Sequence, residues 1–287
     1  MTMTKTKMLG VPAAAAAVAA MALAAAPSGQ AASYNTGGKL LAGARSTEYS
    51  TALKTLSPVN STRQYYDQLP STYHVKYPNQ HVVISFLHSS LTNTQHYVRS
   101  IPAGAPVELV YHHEPEGTHN DYSGDAKTAG ASFVSEFNAQ ANVIHANSSI
   151  PVAFIGGGYQ YTGAGGGSRG IGGYFIPPTA DDFYLDSYQQ NSQIEPASQD
   201  PEISHFRAEL AKKGKKFNGF CEYGRGIGST SSAARAKVIG QDYTWLKSLG
   251  TAKVWIYFWN YSKTTGDNWK FTDSASINAW KKAAIAG

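Results

Sequence analysis

Two glutamates stand where apolar segments of this sequence end, and their side chains suit acid–base chemistry. Glu114 closes the segment Val110-Tyr111-His112-His113-Glu114, and Glu222 directly follows Phe220-Cys221. If these segments are strands of one parallel barrel, their C-terminal ends point into a shared bowl, where two carboxylates can face each other. Such a pair can protonate a leaving oxygen on one side and attack on the other, which is the chemistry of glycosidic bond cleavage.

Strand-length apolar runs that alternate with helical segments indicate the fold that must position these glutamates. The run His81–His88 is almost continuously hydrophobic, as expected when both faces of a parallel strand are buried. The segment 125–146 has apolar residues at three- and four-residue steps, which is typical of a helix. The predicted strands are Leu40–Ala44, Ser61–Tyr66, His81–His88, Val107–His112, Val152–Ile155, Phe183–Tyr188, Phe217–Cys221 and Lys253–Trp259. The predicted helices are Thr47–Leu56, Asp125–Ala146, Pro201–Lys213, Ser231–Leu249 and Ser274–Ala284. The sequence therefore predicts an α/β fold, a (β/α)8 TIM barrel in a single domain.

The first 32 residues have the pattern of a secretory signal peptide. Lys5 and Lys7 precede an alanine-rich apolar run, and small residues follow that run. We expect cleavage after Ala31 or Ala32, a mature domain of residues 33–287, and a secreted, extracellular protein that no longer contacts the membrane after signal cleavage.

The charge of the chain indicates which partners to expect, and its cysteine content shows how the domain must be stabilised. The formal net charge of +5 suits contact with anionic polymers. The densest basic run, Lys212–Lys216, is typical of a solvated helix end, so we expect no nucleic-acid partner. Cys221 is the single cysteine, so an intrachain disulfide is impossible and the core alone must hold the domain together. A monomer is the expected state.

The segment from Gly156 to Gly173 contains a match to the pattern G-x-G-x-x-G. That pattern indicates dinucleotide binding only where a helix opens directly after it, and here Tyr174-Phe175-Ile176-Pro177-Pro178 follows. We therefore expect no cofactor, and we interpret this segment as a loop able to cover a cleft.

On these residues the chain resembles the clan A glycoside hydrolases, and within them glycoside hydrolase family 26, over essentially the whole mature sequence. His113-Glu114 resembles the family's histidine and general acid/base at the end of strand four. Glu222, in Cys221-Glu222-Tyr223-Gly224, resembles the nucleophile at the end of strand seven. The resemblance implies a retaining glycoside hydrolase acting on a polysaccharide or oligosaccharide, an endo-β-mannanase or a related β-glycanase.

The same resemblance implies supporting roles for other residues. Tyr188, at the end of predicted strand six, resembles the tyrosine that steadies the nucleophile, and Trp259 resembles the aromatic on which a sugar ring stacks. His88 and His113 are candidates for hydrogen bonds to sugar hydroxyls. Arg63, on predicted strand two, is a candidate for contact with the nucleophile.

The environments of the two glutamates must differ if they take these roles. Glu114 must hold a proton at neutral pH, so its pKa must be raised, whereas Glu222 must be ionised to attack the anomeric carbon. Glu116 competes with Glu114 for the acid role, because it lies two residues further on and would share the same face if the strand continued.

Two other classes of function remain open on the sequence. A metal-dependent barrel hydrolase would draw its ligands from histidines and an aspartate near predicted strand ends, namely His88, His112, His113, His119 and Asp186. However, adjacent histidines on a strand point to opposite sides, and the sequence has no H-E-x-x-H motif, so we expect no metal. A non-catalytic polysaccharide-binding barrel would keep Trp259 and Tyr188 but would have no use for two facing acids.

Overall fold

The computed structural model describes residues 39–117, 121–122, 124–161, 173–189, 194–226, 231–260 and 268–286. Its strands are β1 (Leu41–Arg45), β2 (Ser61–Gln68), β3 (His81–His88), β4 (Val107–Tyr111), β5 (Ala153–Gly157), β6 (Asp182–Gln189), β7 (Gly219–Arg225) and β8 (Val254–Phe258). Its helices are α1 (Tyr49–Leu56), α2 (Leu91–Ser100), α3 (Ala126–Asn147), α4 (Pro201–Lys212), α5 (Ser232–Leu249) and α6 (Ser274–Ala286), with a short 3-10 helix at Gly158–Tyr161.

The eight strands are parallel and form one sheet in the order β4-β3-β2-β1-β8-β7-β6-β5. The two ends of this sheet meet, because an isolated bridge pairs Leu109 of β4 with Val152 just before β5. Two backbone hydrogen bonds support this joint, from Leu109 N to Pro151 O (3.0 Å) and from Glu114 N to Ile155 O (2.8 Å). The predicted (β/α)8 TIM barrel is therefore confirmed.

Three regions of the chain lie outside the described residues: the predicted signal peptide 1–32, residues 162–172 of the glycine-rich segment, and His119. Within the described ranges, no helix combines the length and apolar character needed to cross a bilayer.

Side chains that alternate along the strands form two apolar layers. Val83, Val110, Ile155 and Ile256 belong to a small cluster inside the barrel. Residues of the opposite parity face the helices; Trp255, for example, packs against Trp280 of α6 at 4.4 Å between ring centroids. Two apolar layers separated by one sheet are what a barrel of parallel strands requires.

Local signals in the sequence explain where the helices start. Asp125 caps α3 by accepting from Thr128 N, and Ser231 caps α5 by accepting from Ala234 N. Helix α2, which the apolar pattern did not predict, is capped by Ser90. These caps satisfy backbone donors that the first helical turn leaves free.

Candidate active site

A β-bulge in β7 turns Glu222 toward the inside of the barrel. The pairing register with β6 passes from Leu185↔Phe220 to Asp186↔Glu222, so Cys221 is left unmatched. Phe220 and Tyr223 both belong to the outer apolar layer, whereas Cys221 belongs to the inner one. Strict alternation would have sent Glu222 outward, and the extra residue reverses this. The prediction that strand seven ends at Cys221 is wrong, because the bulged strand continues to Arg225.

Among the described residues, four side chains from three other strands hold Glu222. The hydroxyl of Tyr65 donates to its Oε1, and the hydroxyl of Tyr188 donates to its Oε2. Two guanidinium groups approach Oε1 as well, with Arg45 Nε at 3.3 Å and Arg63 Nη1 at 3.4 Å. We call the depression around this carboxylate the bowl; it lies at the C-terminal ends of the strands.

Beneath Glu222, Arg63 of β2 forms a buried ion pair with Asp186 of β6. Arg63 Nη1 lies 2.6 Å from Asp186 Oδ2, and its Nε donates to Ser85 Oγ at 3.2 Å. The predicted contact between Arg63 and Glu222 is present, but Asp186 is the closer partner. A fully buried cation must be paired in this way, because moving an unpaired charge out of water has a large unfavourable free energy.

Glu114 enters the bowl from a strained loop that follows β4. Its φ is +48° and that of His112 is +50°, both in the left-handed region that non-glycine residues rarely adopt. The Glu114 side chain is half-buried and lies beside Gly157 at the end of β5, since a Cβ added there would be 3.3 Å from Glu114 Oε1. Such strain persists only where the surroundings enforce it, and it is often found at functional sites.

Glu116, the competing candidate for the acid, is sealed beneath the bowl. Its residue exposure is 0%, and its Oε1 accepts from Gly157 N at 2.9 Å. Gly156 makes this approach possible, because a Cβ there would lie 2.8 Å from the same oxygen. A carboxyl with no exposed surface cannot reach a substrate oxygen, so the geometry favours Glu114.

Glu114 and Glu222 differ in the charged groups that surround them, and this difference affects their pKa values. Burial, followed by the charge of neighbouring Asp186, raises the pKa of Glu114, and Arg63 only partly opposes this. Burial also raises the pKa of Glu222, but here both Arg63 and Arg45 favour the charged form. Glu114 thus has the environment of a proton donor, and Glu222 is the carboxylate with the stronger cationic support.

His113 lies in the bowl beside the ring of Tyr65, with centroids 5.0 Å apart in an edge-to-face contact. Burial lowers its pKa well below the usual histidine value, and the charge of Arg63 acts in the same direction. His113 is therefore a neutral imidazole, suited to exchanging hydrogen bonds with a hydroxyl.

His88 lies at the rim, away from the contacts around Glu222. Its side chain is 44% exposed, and its Nε2 lies 3.8 Å from Asp121 Oδ2 and 3.9 Å from Asp67 Oδ1. Asp121 also accepts from His112 at 3.2 Å if His112 Nε2 carries the hydrogen. The structure thus brings together Arg63, His113, Glu114, Tyr188 and Glu222, but it leaves His88 with a separate rim cluster.

Trp259 lies in the outer apolar layer. It is 5% exposed, and Lys270 Nζ lies 5.1 Å from its ring centroid. The preceding residue, Phe258, has the opposite parity and packs against Tyr188 at 5.2 Å. The aromatic of β8 that contacts the bowl is therefore Phe258, and the sugar-stacking role expected for Trp259 has no geometric support.

Sequence reasoning missed Arg45 and Tyr65 as partners of Glu222. Arg45 is the first residue after predicted strand one, where a barrel strand delivers side chains to the bowl. Tyr65 lies two residues after Arg63 and so shares its face of β2. Strand parity and position could have found both residues.

No set of three or more histidine, cysteine, aspartate or glutamate side chains with metal-binding geometry occurs in the part of the chain that the structure describes. Asp186, one of the possible ligands named from the sequence, is instead paired with Arg63.

No family model and no curated protein matches the sequence of this chain. Solved structures do match its shape. One is a glycoside hydrolase family 5 endoglucanase of broad specificity from an uncultured bacterium, with a TM-score of 0.52 and 9% identity over 83% of this chain and 84% of that one. Another is a family 5 xyloglucan-specific endo-β-1,4-glucanase from a metagenomic library, with a TM-score of 0.51 and 11% identity over 82% of this chain and 86% of that one.

These two endoglucanase structures share the barrel fold of this chain. A glucosidase from Croceicoccus marinus is also similar, with a TM-score of 0.51 and 12% identity over 86% of this chain. This chain spans 66% of that glucosidase, slightly less than two thirds of its length. At such identities the likeness shows a common architecture, and a fold alone does not fix a function.

Proposed function

We propose that this protein is a retaining glycoside hydrolase that cleaves β-glycosidic bonds, with Glu114 as general acid/base and Glu222 as nucleophile. Its proposed substrate is a polysaccharide of the β-glycan type, as for an endo-β-mannanase or a related β-glycanase. We also propose that it acts outside the cell after removal of its signal peptide.

The observation that carries the proposal is the pairing of two different carboxyl environments in one bowl. Glu222 accepts from two tyrosines and faces two arginines, whereas Glu114 is a half-buried acid whose pKa is raised. Tyr188 lies between them: it donates to Glu222, and its pKa is raised by burial, then by the charges of Asp186 and Glu114. Two carboxyls with opposed environments are what double displacement at a sugar carbon requires.

The fold of the chain is consistent with this chemistry. Of three structures that it resembles, one is named an endoglucanase, one a glucosidase and one a xyloglucan-specific endo-β-1,4-glucanase, the last determined in complex with cellotriose. The proposed catalytic residues lie at the C-terminal face of the barrel, where enzymes of this fold place their active sites.

Rescue of alanine variants by azide tests the two roles separately. In Glu222→Ala, azide should attack from the face that Glu222 has vacated and give an α-glycosyl azide from an activated β-glycoside. In Glu114→Ala, the glycosyl-enzyme still forms, so azide should displace Glu222 and give the β-glycosyl azide. NMR of the products distinguishes the anomers, and the same anomer from both variants would contradict the assignment.

Two further measurements separate the alternative classes. A metal-dependent hydrolase would lose activity on treatment with a chelator, whereas the proposed enzyme should keep it. A non-catalytic binding protein would release no new reducing ends from any polysaccharide, and Glu222→Gln would leave its binding unchanged.

A further inference from the structure

Arg45 places a second cation at the nucleophile, and the surroundings of Arg45 differ from those of Arg63. Arg63 has a fully buried side chain and is engaged by Asp186 and Ser85, whereas the Arg45 side chain is 25% exposed at the end of β1. The guanidinium carbon of Arg45 lies 5.0 Å from the ring centroid of Tyr65 and 5.1 Å from that of Phe258. Contact with two aromatic rings restricts the motion of the guanidinium, and its Nε faces Glu222 in the bowl.

The hydrogen-bonding capacity of Arg45 is only partly used. Within the described ranges, its ion pair with Glu222 is made through Nε, at 3.3 Å. A guanidinium carries five N–H donors in a fixed planar fork, so the Nη1 and Nη2 edge can still receive a planar anion end-on. Bidentate contact with a carboxylate is the interaction for which this geometry is best suited.

The charges in the bowl permit an additional anion. Arg45 and Arg63 face Glu222 and Asp186, so two positive and two negative groups are in contact. His113 is neutral and Glu114 holds its proton more firmly than an ordinary glutamate, so neither adds a charge near neutral pH. Removal of the signal peptide takes Lys5 and Lys7 from the formal charge of +5, so the mature chain keeps a net charge of +3, which also favours the approach of an acidic polymer.

We propose that Arg45 binds the carboxylate of a uronic acid residue positioned beside Glu222, which makes the substrate a polysaccharide that contains uronic acid. This inference rests on the proposed glycoside hydrolase function and specifies its substrate class. Arg45 is then both a partner of the nucleophile and the residue that selects for an acidic sugar.

Binding to a slowed enzyme tests this role without the complication of turnover. Glu114→Gln is a suitable background, because an amide resembles the protonated acid and the Arg45–Glu222 pair stays intact. Cello-oligosaccharides and β-1,4-linked glucuronic acid oligomers of equal length differ only at C6, so they form a matched pair of probes. Calorimetry should show the acidic oligomer binding roughly tenfold or more tightly, as expected for hydrogen bonds between charged groups.

A second substitution assigns this preference to Arg45. In the Glu114→Gln background, Arg45→Gln should weaken binding of the acidic oligomer about tenfold more than it weakens binding of the neutral oligomer. Arg207→Gln is the matched control, because Arg207 also lies over an aromatic ring, Trp245 at 5.4 Å, but on the outer helices. Equal affinity for both oligomers, or equal losses for both in Arg45→Gln, would overturn the inference.

The outcomes for this inference and for the proposed function can be distinguished. If the native enzyme cleaves neutral β-glycans but neither binds nor cleaves the acidic oligomer, the role of Arg45 is wrong and the hydrolase function stands. If acidic oligomers bind through Arg45 but the native enzyme cleaves no glycan, the hydrolase function is wrong and the carboxylate site stands.

Discussion

Removal of the Tyr188 hydroxyl should move the acidic limb of the pH–activity profile to higher pH. Tyr188→Phe deletes the hydrogen bond to Glu222 Oε2 but keeps the ring, which packs against Phe258 at 5.2 Å and Trp269 at 5.5 Å. The substitution therefore changes the stabilisation of the ionised carboxylate with little change in packing.

The expected size follows from the bond that is lost. A hydrogen bond to a charged group contributes about 1.5–3 kcal/mol, and one pKa unit corresponds to about 1.4 kcal/mol, so the pKa of Glu222 should rise by about one to two units. Burial already raises this pKa against the opposing charges of Arg63 and Arg45, so the two effects add. As the proposed nucleophile, Glu222 is active when ionised, so activity in the variant should begin at higher pH.

The assay is kcat/KM measured from about pH 4 to about pH 9, because this profile reports the ionisations of the free enzyme. The basic limb reports loss of the proton from Glu114 and should move less than the acidic limb. Tyr65→Phe removes the donor to Glu222 Oε1 and should give a similar shift. Tyr184→Phe is the matched control, since that hydroxyl donates to Glu108 at 2.9 Å. An unchanged acidic limb in both site variants, or an equal shift in the control, would refute the reasoning.

Three further predictions concern stability and positioning. Arg63→Met leaves the buried carboxylate of Asp186 without its 2.6 Å partner, so chemical denaturation should show a loss of about 3–5 kcal/mol, and a loss below about 1 kcal/mol would contradict this. Burial raises the pKa of Glu108 to about 7. Ionisation of Glu108 therefore destabilises the folded protein as the pH rises from the pKa of this residue in the unfolded chain to about 7. Glu108→Gln should make the free energy of unfolding fall less between about pH 5 and about pH 8, and an unchanged slope would contradict this. Gly224→Ala would place a Cβ 2.8 Å from a Trp269 ring carbon and should lower kcat/KM at least about tenfold by displacing the aromatics beside Glu222. Gly240→Ala in α5 is the control, because no neighbouring atom of the described residues lies within 4 Å of the added Cβ. This variant should keep full activity, and its free energy of unfolding should rise by up to about 1 kcal/mol. Equal activities for the two alanine variants would show that Gly224 does not position the site.

The barrel could be predicted from the sequence because its strands are buried on both faces. Strand His81–His88 was predicted at its observed bounds, since continuous apolar character leaves little ambiguity. The polar strand at Ser61 was also confirmed, and its polarity has a reason: Arg63 and Tyr65 face the bowl. Helix α2 was missed because its sequence, LTNTQHYVRS, is polar on average and its buried face includes Thr94 beside Tyr97 and Val98.

The environment of the site was less accessible to sequence reasoning than the glutamates themselves. The contact between Tyr65 and Glu222 joins residues 157 positions apart, so the sequence around either residue does not predict it. The bulge at Cys221 depends on the register with two neighbouring strands, which one strand's sequence does not encode. Glu114 and Glu116 are equivalent in type, and only their burial distinguishes them.

Glu114, the proposed proton donor, also has a structural role at the joint between β4 and β5. The amide of Glu114 donates to Ile155 across this joint, so the residue that would supply the proton also fastens the wall of the barrel. Glu222 makes no contact at this joint among the described residues, because it lies in β7, two strands from β5. Local opening of the joint would therefore move Glu114 and leave Glu222, the other proposed catalytic residue, in place. Hydrogen exchange at the amides of Leu109 and Glu114 measures how often this joint opens. The same measurement indicates how steadily the two carboxyl groups keep the separation on which the stereochemical outcome depends.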